Sequence, residues 1–501
     1  MERILIRAGV APWAEYNALD VITDKIIGNN TGNLLFANSI TRLVATADSR
    51  VDFISDLTLV KKQITAQEIN ENYDRLILPM ANAFREDFAR KCLKHWTALI
   101  RQLTIPVTVT GIGIQLPYEP HLEQPREFDG AARDFIAAVL DHSASVGVRG
   151  QITYDYLKGL GFSQIDVTGC PSLALNGPGL PLREKQPLTP ESKLCFTGSV
   201  SNPPDFKKFA VRCTERFPNT YFVPQFIDDL RLMYLGSHPD TADSRVLHPT
   251  NLDHPVFVED KARFFINLPS MFAFNREMDF NYGTRIHGAI GNILCGVPSL
   301  LFPTDARIRE LAEYHNIPAI PASAVTPDTD LAALYDQTDF RQVNNGHAER
   351  FWHLIDFLNE NGIKTIYDDR TGTPARSLYD EKTAATSYAQ PVHSMLVRPP
   401  EEIARRVDTA VRLQRKEIED DSRMATQLRD SQRKVTQLQE RNKKQAAQIQ
   451  ALKEERKALK TELKATKKPL RRLAWYQRTS TFGIGLARLK KKLRRLLGKE
   501  K

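Results

Sequence analysis

The sequence predicts an α/β protein: two Rossmann-like domains, then a coiled coil and a basic amphipathic helix. Three observations carry this expectation. Short apolar runs alternate with helix-period stretches over residues 1–370, a heptad pattern follows residue 400, and positive charge gathers at the C-terminal end. The 501 residues are 42% hydrophobic and 26% charged, which excludes a wholly disordered or collagen-like chain. No window approaches the ~18 consecutive apolar residues of a membrane-spanning helix. Met-Glu-Arg-Ile-Leu-Ile at the start reads as a strand, not a signal peptide.

The strand-like runs are Ile4–Ile6, Leu76–Leu78, Val107–Ile114, Val146–Val148, Ile165–Val167, Leu194–Phe196, Tyr221–Val223, Phe264–Ile266 and Ser299–Phe302. Many lead into Gly, Pro or Asn and then a helical stretch, the rhythm of βαβ units around a buried parallel sheet. The Pro-rich segment Asn176–Pro190 interrupts the rhythm and Leu194–Phe196 restarts it. Two domains are therefore expected, 1–185 and 190–366, with a cleft between them. From 367 to 400 the periodicity is lost, as in a linker or a wrapping arm.

Residues 401–465 read as a coiled coil. Leu428, Val435, Asn442, Ile449 and Leu463 share one seven-residue phase, and Met424, Leu438, Leu452 and Leu459 the phase three residues later. These are a and d positions, and a lone Asn at a suits a parallel homodimer. Ser431, Gln445 and Arg456 weaken the seam, so a solitary charged helix is the alternative. Residues 466–501 form the basic tail. Leu486, Leu489, Leu493, Leu496 and Leu497 share a helix face, ringed by Arg488, Lys490, Lys491, Lys492, Arg494 and Arg495, with Trp475 upstream. Such a helix lies on anionic lipid. An anionic membrane surface contacted through 470–497 is expected rather than nucleic acid, because no nucleic-acid-binding fold accompanies the tail.

Charge is divided unevenly. Residues 401–501 hold 30 Lys and Arg against 13 Asp and Glu, a net +17, which leaves −8 on the first 400. The five cysteines, Cys92, Cys170, Cys195, Cys213 and Cys295, include no C-x-x-C pair. Neither a disulfide framework nor a zinc site is expected, and a reducing cytoplasm fits.

Chemistry concentrates between Asp279 and Pro303. Gly283-Thr284 can cap a helix starting near Arg285, and Gly296 stands where a C-terminal stop belongs. Arg285 and His287 then occupy the first turn, where the helix dipole repels cations unless an anion sits there. The alternative is an ion-paired Arg285 and a packed His287.

This stretch, with Asp305-Ala-Arg-Ile-Arg-Glu310 and Tyr314-His-Asn-Ile-Pro318, resembles the C-terminal signature of the polysaccharide pyruvyl transferase family. Asn29-Asn-Thr-Gly-Asn33, Leu76–Asn82, Gly111-Ile-Gly113 and Val146-Gly-Val-Arg149 are similar to earlier family segments. The resemblance spans roughly residues 1–370 and implies a GT-B-like pair of domains. It also implies transfer of pyruvate from phosphoenolpyruvate to two hydroxyls of a glycan, or its lipid-linked precursor, as a ketal. In that reading His287 and Arg285 are catalytic. Arg149, Asn30, Gly32, Asn33, Thr284 and Gly288 bind substrate, and Asp305, Arg307 and Glu310 hold the Arg285–His287 loop by ion pairs. Phosphoenolpyruvate is a co-substrate; no cofactor or metal is implied. Many family members have Gly-Asp where this chain has Gly32-Asn33, which bears on the acceptor side. A GT-B glycosyltransferase using Glu310 at a nucleotide ribose and a non-catalytic coiled-coil scaffold are the competing readings. The expected place is cytoplasmic, peripheral on the inner face of the membrane.

Overall fold

Two parallel sheets organise the first of two units, residues 1–410, in a computed structural model that describes residues 1–61, 63–237, 249–479 and 481–496; the second unit is 411–501. In the first sheet β1 (Glu2–Arg7), β2 (Ser49–Ile54), β3 (Arg75–Pro79) and β4 (Val107–Thr110) take the order β2-β1-β3-β4. Ile4 faces Val51 on one side and Arg75 on the other, all strands parallel. The central run Leu76–Leu78 is fully buried, as a parallel strand covered on both faces must be. β5 (Val146–Val148) and β6 (Ile165–Val167) pair beside it, attached by a bridge between Ile112 and Val148. The second sheet orders β7 (Leu194–Thr197), β8 (Thr220–Phe222), β9 (Phe280–Gly283) and β10 (Ser299–Leu301) as β8-β7-β9-β10, again all parallel. This is the expected α/β architecture of two Rossmann-like halves in a GT-B-like arrangement.

The differences have local causes. Val107–Ile114 is not one strand: Gly111, at φ +66°, breaks it before Gly113–Ile114. Phe264–Ile266 forms no strand and contributes only a bridge from Phe264 to Val392. β9 was not among the expected strands because Asn281 and Gly283 dilute its apolar pattern, although Asn281 is fully buried.

Six helices matter below: α1 (Gly32–Val44), α2 (Gln151–Gly159), α3 (Ile286–Ile293), α4 (Ala306–Tyr314), α5 (His347–Glu360) and α6 (Pro400–Thr479). Phe351, Leu354, Ile355 and Leu358 of α5 share a core with Ile4, Ile6, Ile40 and Ile77. The chain thus returns to the first sheet, where the expected boundary 190–366 had assigned α5 to the second half. Periodicity shows which face of a helix is apolar, not which sheet that face will meet. The segment 367–400 wraps: Tyr367 and Tyr379 join the same core and Val392 pairs with Phe264.

In the second unit α6 runs on to Thr479 and α7 (Thr481–Leu496) follows. The tail's Leu497 and Lys501 lie outside the described residues. Among the described residues no helix is long and apolar enough to cross a membrane.

Candidate active site

Most of the site residues follow the carboxyl ends of parallel strands, where open α/β sheets leave a crevice. Arg149 follows β5, Cys170 β6, Gln225 β8, Arg285 and His287 β9, and Asp305 β10. The loop before α1 closes the group. Asn33 donates its amide N–H to the Ile27 carbonyl (3.1 Å), and Asn30 Oδ1 accepts from the Gly32 N–H (2.7 Å). Thr31 N–H donates to the Gln225 carbonyl and Ile227 N–H to that of Asn29, stitching the loop to the second half. Gly32 permits the key contact. A Cβ there would lie 2.4 Å from His287 Nδ1, so the imidazole occupies the space a side chain would fill.

On the other side β9 ends in Gly283, at φ +152°, where a Cβ would strike the Thr197 carbonyl at 2.2 Å. Thr284 N–H donates to that carbonyl, and its hydroxyl donates to Asn202 Oδ1 (2.7 Å). Thr284 therefore does not cap α3. Arg285 stands at the N-cap in extended conformation, one residue outside the expected first turn, and His287 lies within that turn. A Cβ on Gly288 would lie 2.6 Å from Thr197 Cγ2, so this glycine serves close packing of α3 on β7.

The Arg285 guanidinium stacks over Phe226 at 4.3 Å, with Nε 3.5 Å from Gln225 Oε1. Among the described residues it has no carboxylate at ion-pair distance. Arg149 is buried, its Nε donating to the Gly111 carbonyl (2.8 Å) and its Nη2 left without a partner. His287, 9% exposed, sets Nε2 3.7 Å from Cys170 Sγ, whose thiol lies 3.1 Å from Ser172 Oγ. Cys170 N–H donates to His315 Nε2.

The acidic residues behave differently from expectation. Asp305 caps α4 through Ile308 N–H and accepts from Arg307 Nη2 (2.9 Å). Glu310 accepts from Thr153 N–H (2.9 Å) and Thr153 Oγ1 (2.8 Å), capping α2 beneath Arg149. None of the three makes an ion pair with Arg285 or His287 among the described residues, which corrects their expected role. Glu310 is buried, and among the described residues its carboxylate has no ion-pair partner.

Burial and like charge set the protonation states. Burial, then Arg149, Arg285 and Arg307, hold the His287 pKa well below the ordinary imidazole value. Burial, then Arg307, brings Arg285 down to about 10, against the longer-range pull of Asp229 and Asp305. Burial lowers Arg149 and pushes Glu310 up to about 7, opposed there by Thr153 and Arg149. Without an anion His287 is therefore neutral at pH 7, a proton acceptor. Among the described residues no cluster of three His, Cys, Asp or Glu is arranged to hold a metal ion.

A family model described as polysaccharide pyruvyl transferase matches residues 30–305, more than half of the chain. The chain belongs to that family. No curated protein matches it. Solved structures similar to it include an uncharacterized protein of Klebsiella pneumoniae (14% identity, TM-score 0.34, covering 62% of this chain and 88% of that one). Staphylococcus aureus MnaA with UDP is also similar (11%, 0.39, 73% and 99%). So is the UDP-GlcNAc 2-epimerase of Methanocaldococcus jannaschii (8%, 0.39, 72% and 99%).

In this member of the family, the structure brings Gly32, Asn30, Arg149, Arg285 and His287 together and turns Asn33, Thr284, Gly288 and Glu310 toward the scaffold. Sequence reasoning missed Cys170, Gln225, Phe226 and Thr197. Their shared signal is position at or just past the end of a parallel strand, usable only once the strands are known.

Proposed function

We propose that the enzyme transfers pyruvate from phosphoenolpyruvate to two hydroxyls of a glycan, or of its lipid-linked precursor, as a cyclic ketal. The observation that carries the reading is the pairing of two uncompensated cations with a neutral imidazole. Arg149 Nη2 is buried without a partner, and Arg285 lacks an ion pair among the described residues. Phosphoenolpyruvate offers a carboxylate and a phosphate, and a guanidinium binds either through two parallel N–H donors.

The protons balance as follows. One hydroxyl adds to C2 of phosphoenolpyruvate while a proton reaches the C3 methylene. The bond from C2 to the phosphate oxygen breaks, the second hydroxyl adds to C2, and its proton departs with inorganic phosphate. Neutral His287 accepts the proton of the attacking hydroxyl. The bound anion offsets the three arginines and raises the imidazole's proton affinity, so the same ring delivers that proton to C3. The sugar-nucleotide reading needs a free carboxylate at Glu310, and that carboxylate is committed to Thr153.

Phosphate release from phosphoenolpyruvate in the presence of soluble and lipid-linked glycans tests the proposal. The wild type should release phosphate in step with ketal formation, and His287→Ala should be slower by about 10²–10⁴-fold. Consumption of a sugar nucleotide instead, with phosphoenolpyruvate untouched, would overturn it.

A further inference from the structure

We propose that residues 424–467 form a two-stranded parallel coiled coil with a second copy of this chain. Every described residue from 414 to 465 is exposed, and these include side chains that a solitary helix would not leave in water. Met424, Val435, Leu438, Ile449, Leu452 and Leu459 are between 52% and 63% exposed. They recur at steps of 11, 3, 11, 3 and 7 residues, all of which keep to the a and d positions of one seam.

The identity of the occupant follows from the pattern. β-branched Val435 and Ile449 stand at a and leucines at d, the choice that favours two parallel strands. Asn442 at a meets its own copy across the seam, where two amides satisfy each other. The flanking charges agree. Glu455 at g faces Lys460 at e of the partner helix one heptad on, and Glu462 and Lys467 repeat the pair. The earlier g and e positions, Lys434 with Gln439 and Arg441 with Ala446, set no like charges against each other. Ser431, Gln445 and Arg456 interrupt the seam and lower its affinity without changing its register. The inference does not depend on the transferase reading, since none of these residues belongs to the site between the sheets.

The test uses the full chain. Light scattering at micromolar concentration should give twice the chain mass. Leu438→Asp with Leu452→Asp should weaken self-association by at least about 100-fold and give the single-chain mass. Glu455→Lys should weaken it less, and adding Lys460→Glu should restore it. Leu438→Cys should crosslink on mild oxidation beyond the wild-type background, because identical d positions adjoin in a parallel pair. In the overlapped antiparallel pair Leu438 faces Ile449, about 16 Å along the helix from its own twin. A single-chain mass for the wild type, a dimer indifferent to the paired Asp substitutions, or crosslinking only when Ile449→Cys accompanies Leu438→Cys would each overturn the proposal.

Discussion

Arg149, Arg285 and Arg307 lie buried or partly buried between two sheets, while Arg488, Lys490, Lys491, Lys492 and Arg494 stand exposed on a sixteen-residue helix that holds no acid. The same charge obeys different physics in the two places. A buried guanidinium has given up water, so each unmade hydrogen bond counts, and its field reaches His287 with little screening. An exposed lysine keeps its hydration, acts only in company, and is screened beyond about 8–10 Å at physiological salt. Few positioned cations suit one small anion; many solvated ones suit a charged surface.

Arg149→Met separates the two regimes most sharply. If Arg149 Nη2 waits for a donor anion, phosphoenolpyruvate affinity should fall about 10–100-fold, the worth of a charged hydrogen bond. The melting temperature should hold or rise, because a buried cation without an ion pair has been removed. A purely structural arginine would show the reverse: unchanged affinity and a lower melting temperature. Calorimetric titration and a thermal melt read both quantities. Gly32→Ala comes next. The new methyl would displace the His287 ring, so turnover should drop at least about 10-fold, while overpacking costs only about 1–3 kcal/mol of stability. Full activity in that variant would remove His287 from the chemistry.

How much of this was legible beforehand depends on the range of the interactions. Ile4–Ile6, Leu76–Leu78 and Val146–Val148 announce themselves because a parallel strand buried on both faces must be continuously apolar. Gly32, Arg285 and His287 stood out through local motif and helix-end electrostatics. The Cys170–His287 approach joins residues 117 positions apart, and the pairing of Glu310 with Thr153 spans 157. No local rule contains such distances. The protonation of His287 is not legible locally for the same reason: burial and three arginines from separate segments lower its pKa, and only the fold gathers them.

Acid should expose the buried region and leave the tail indifferent. Burial lowers His287, His315 and His347, so in the folded state they resist protons that the unfolded chain accepts near pH 6.5. Below that value the unfolded state binds more protons, and stability should fall as pH falls, by up to about 1.4 kcal/mol per unit for each histidine. Glu310 works in the opposite sense. Its folded pKa of about 7 exceeds its ordinary 4.5, so the fold holds that proton between these values and loses stability as pH rises through them. Urea melts from pH 7.5 to 5.5 should therefore show a net loss toward acid. Histidine substitution should flatten the slope, starting with His347→Gln, which lies outside the site. A flat profile in the wild type would mean that these imidazoles are hydrated.

The smallest single effect should come from the tail, and its smallness is the point of the comparison. We propose that 470–497 rests on anionic lipid, with Leu489 and Leu493, both at least half exposed and one turn apart, entering the interface. Each lysine near such a surface contributes up to about 1 kcal/mol, so Lys491→Gln should weaken vesicle binding no more than about 5-fold. Raising the salt should weaken it much further, since screening acts on all the charges together. Leu489→Asp should exceed any one lysine change, because it removes apolar burial and adds a like-signed repulsion from the lipid. Phosphoenolpyruvate affinity should ignore all three manipulations at moderate salt. Co-sedimentation with anionic and neutral vesicles reads the first set and calorimetry the second. Equal pelleting with neutral vesicles would show that the cations play no part in binding, and one lysine abolishing it would show that the tail uses its cations as the buried site does, for a specific ligand.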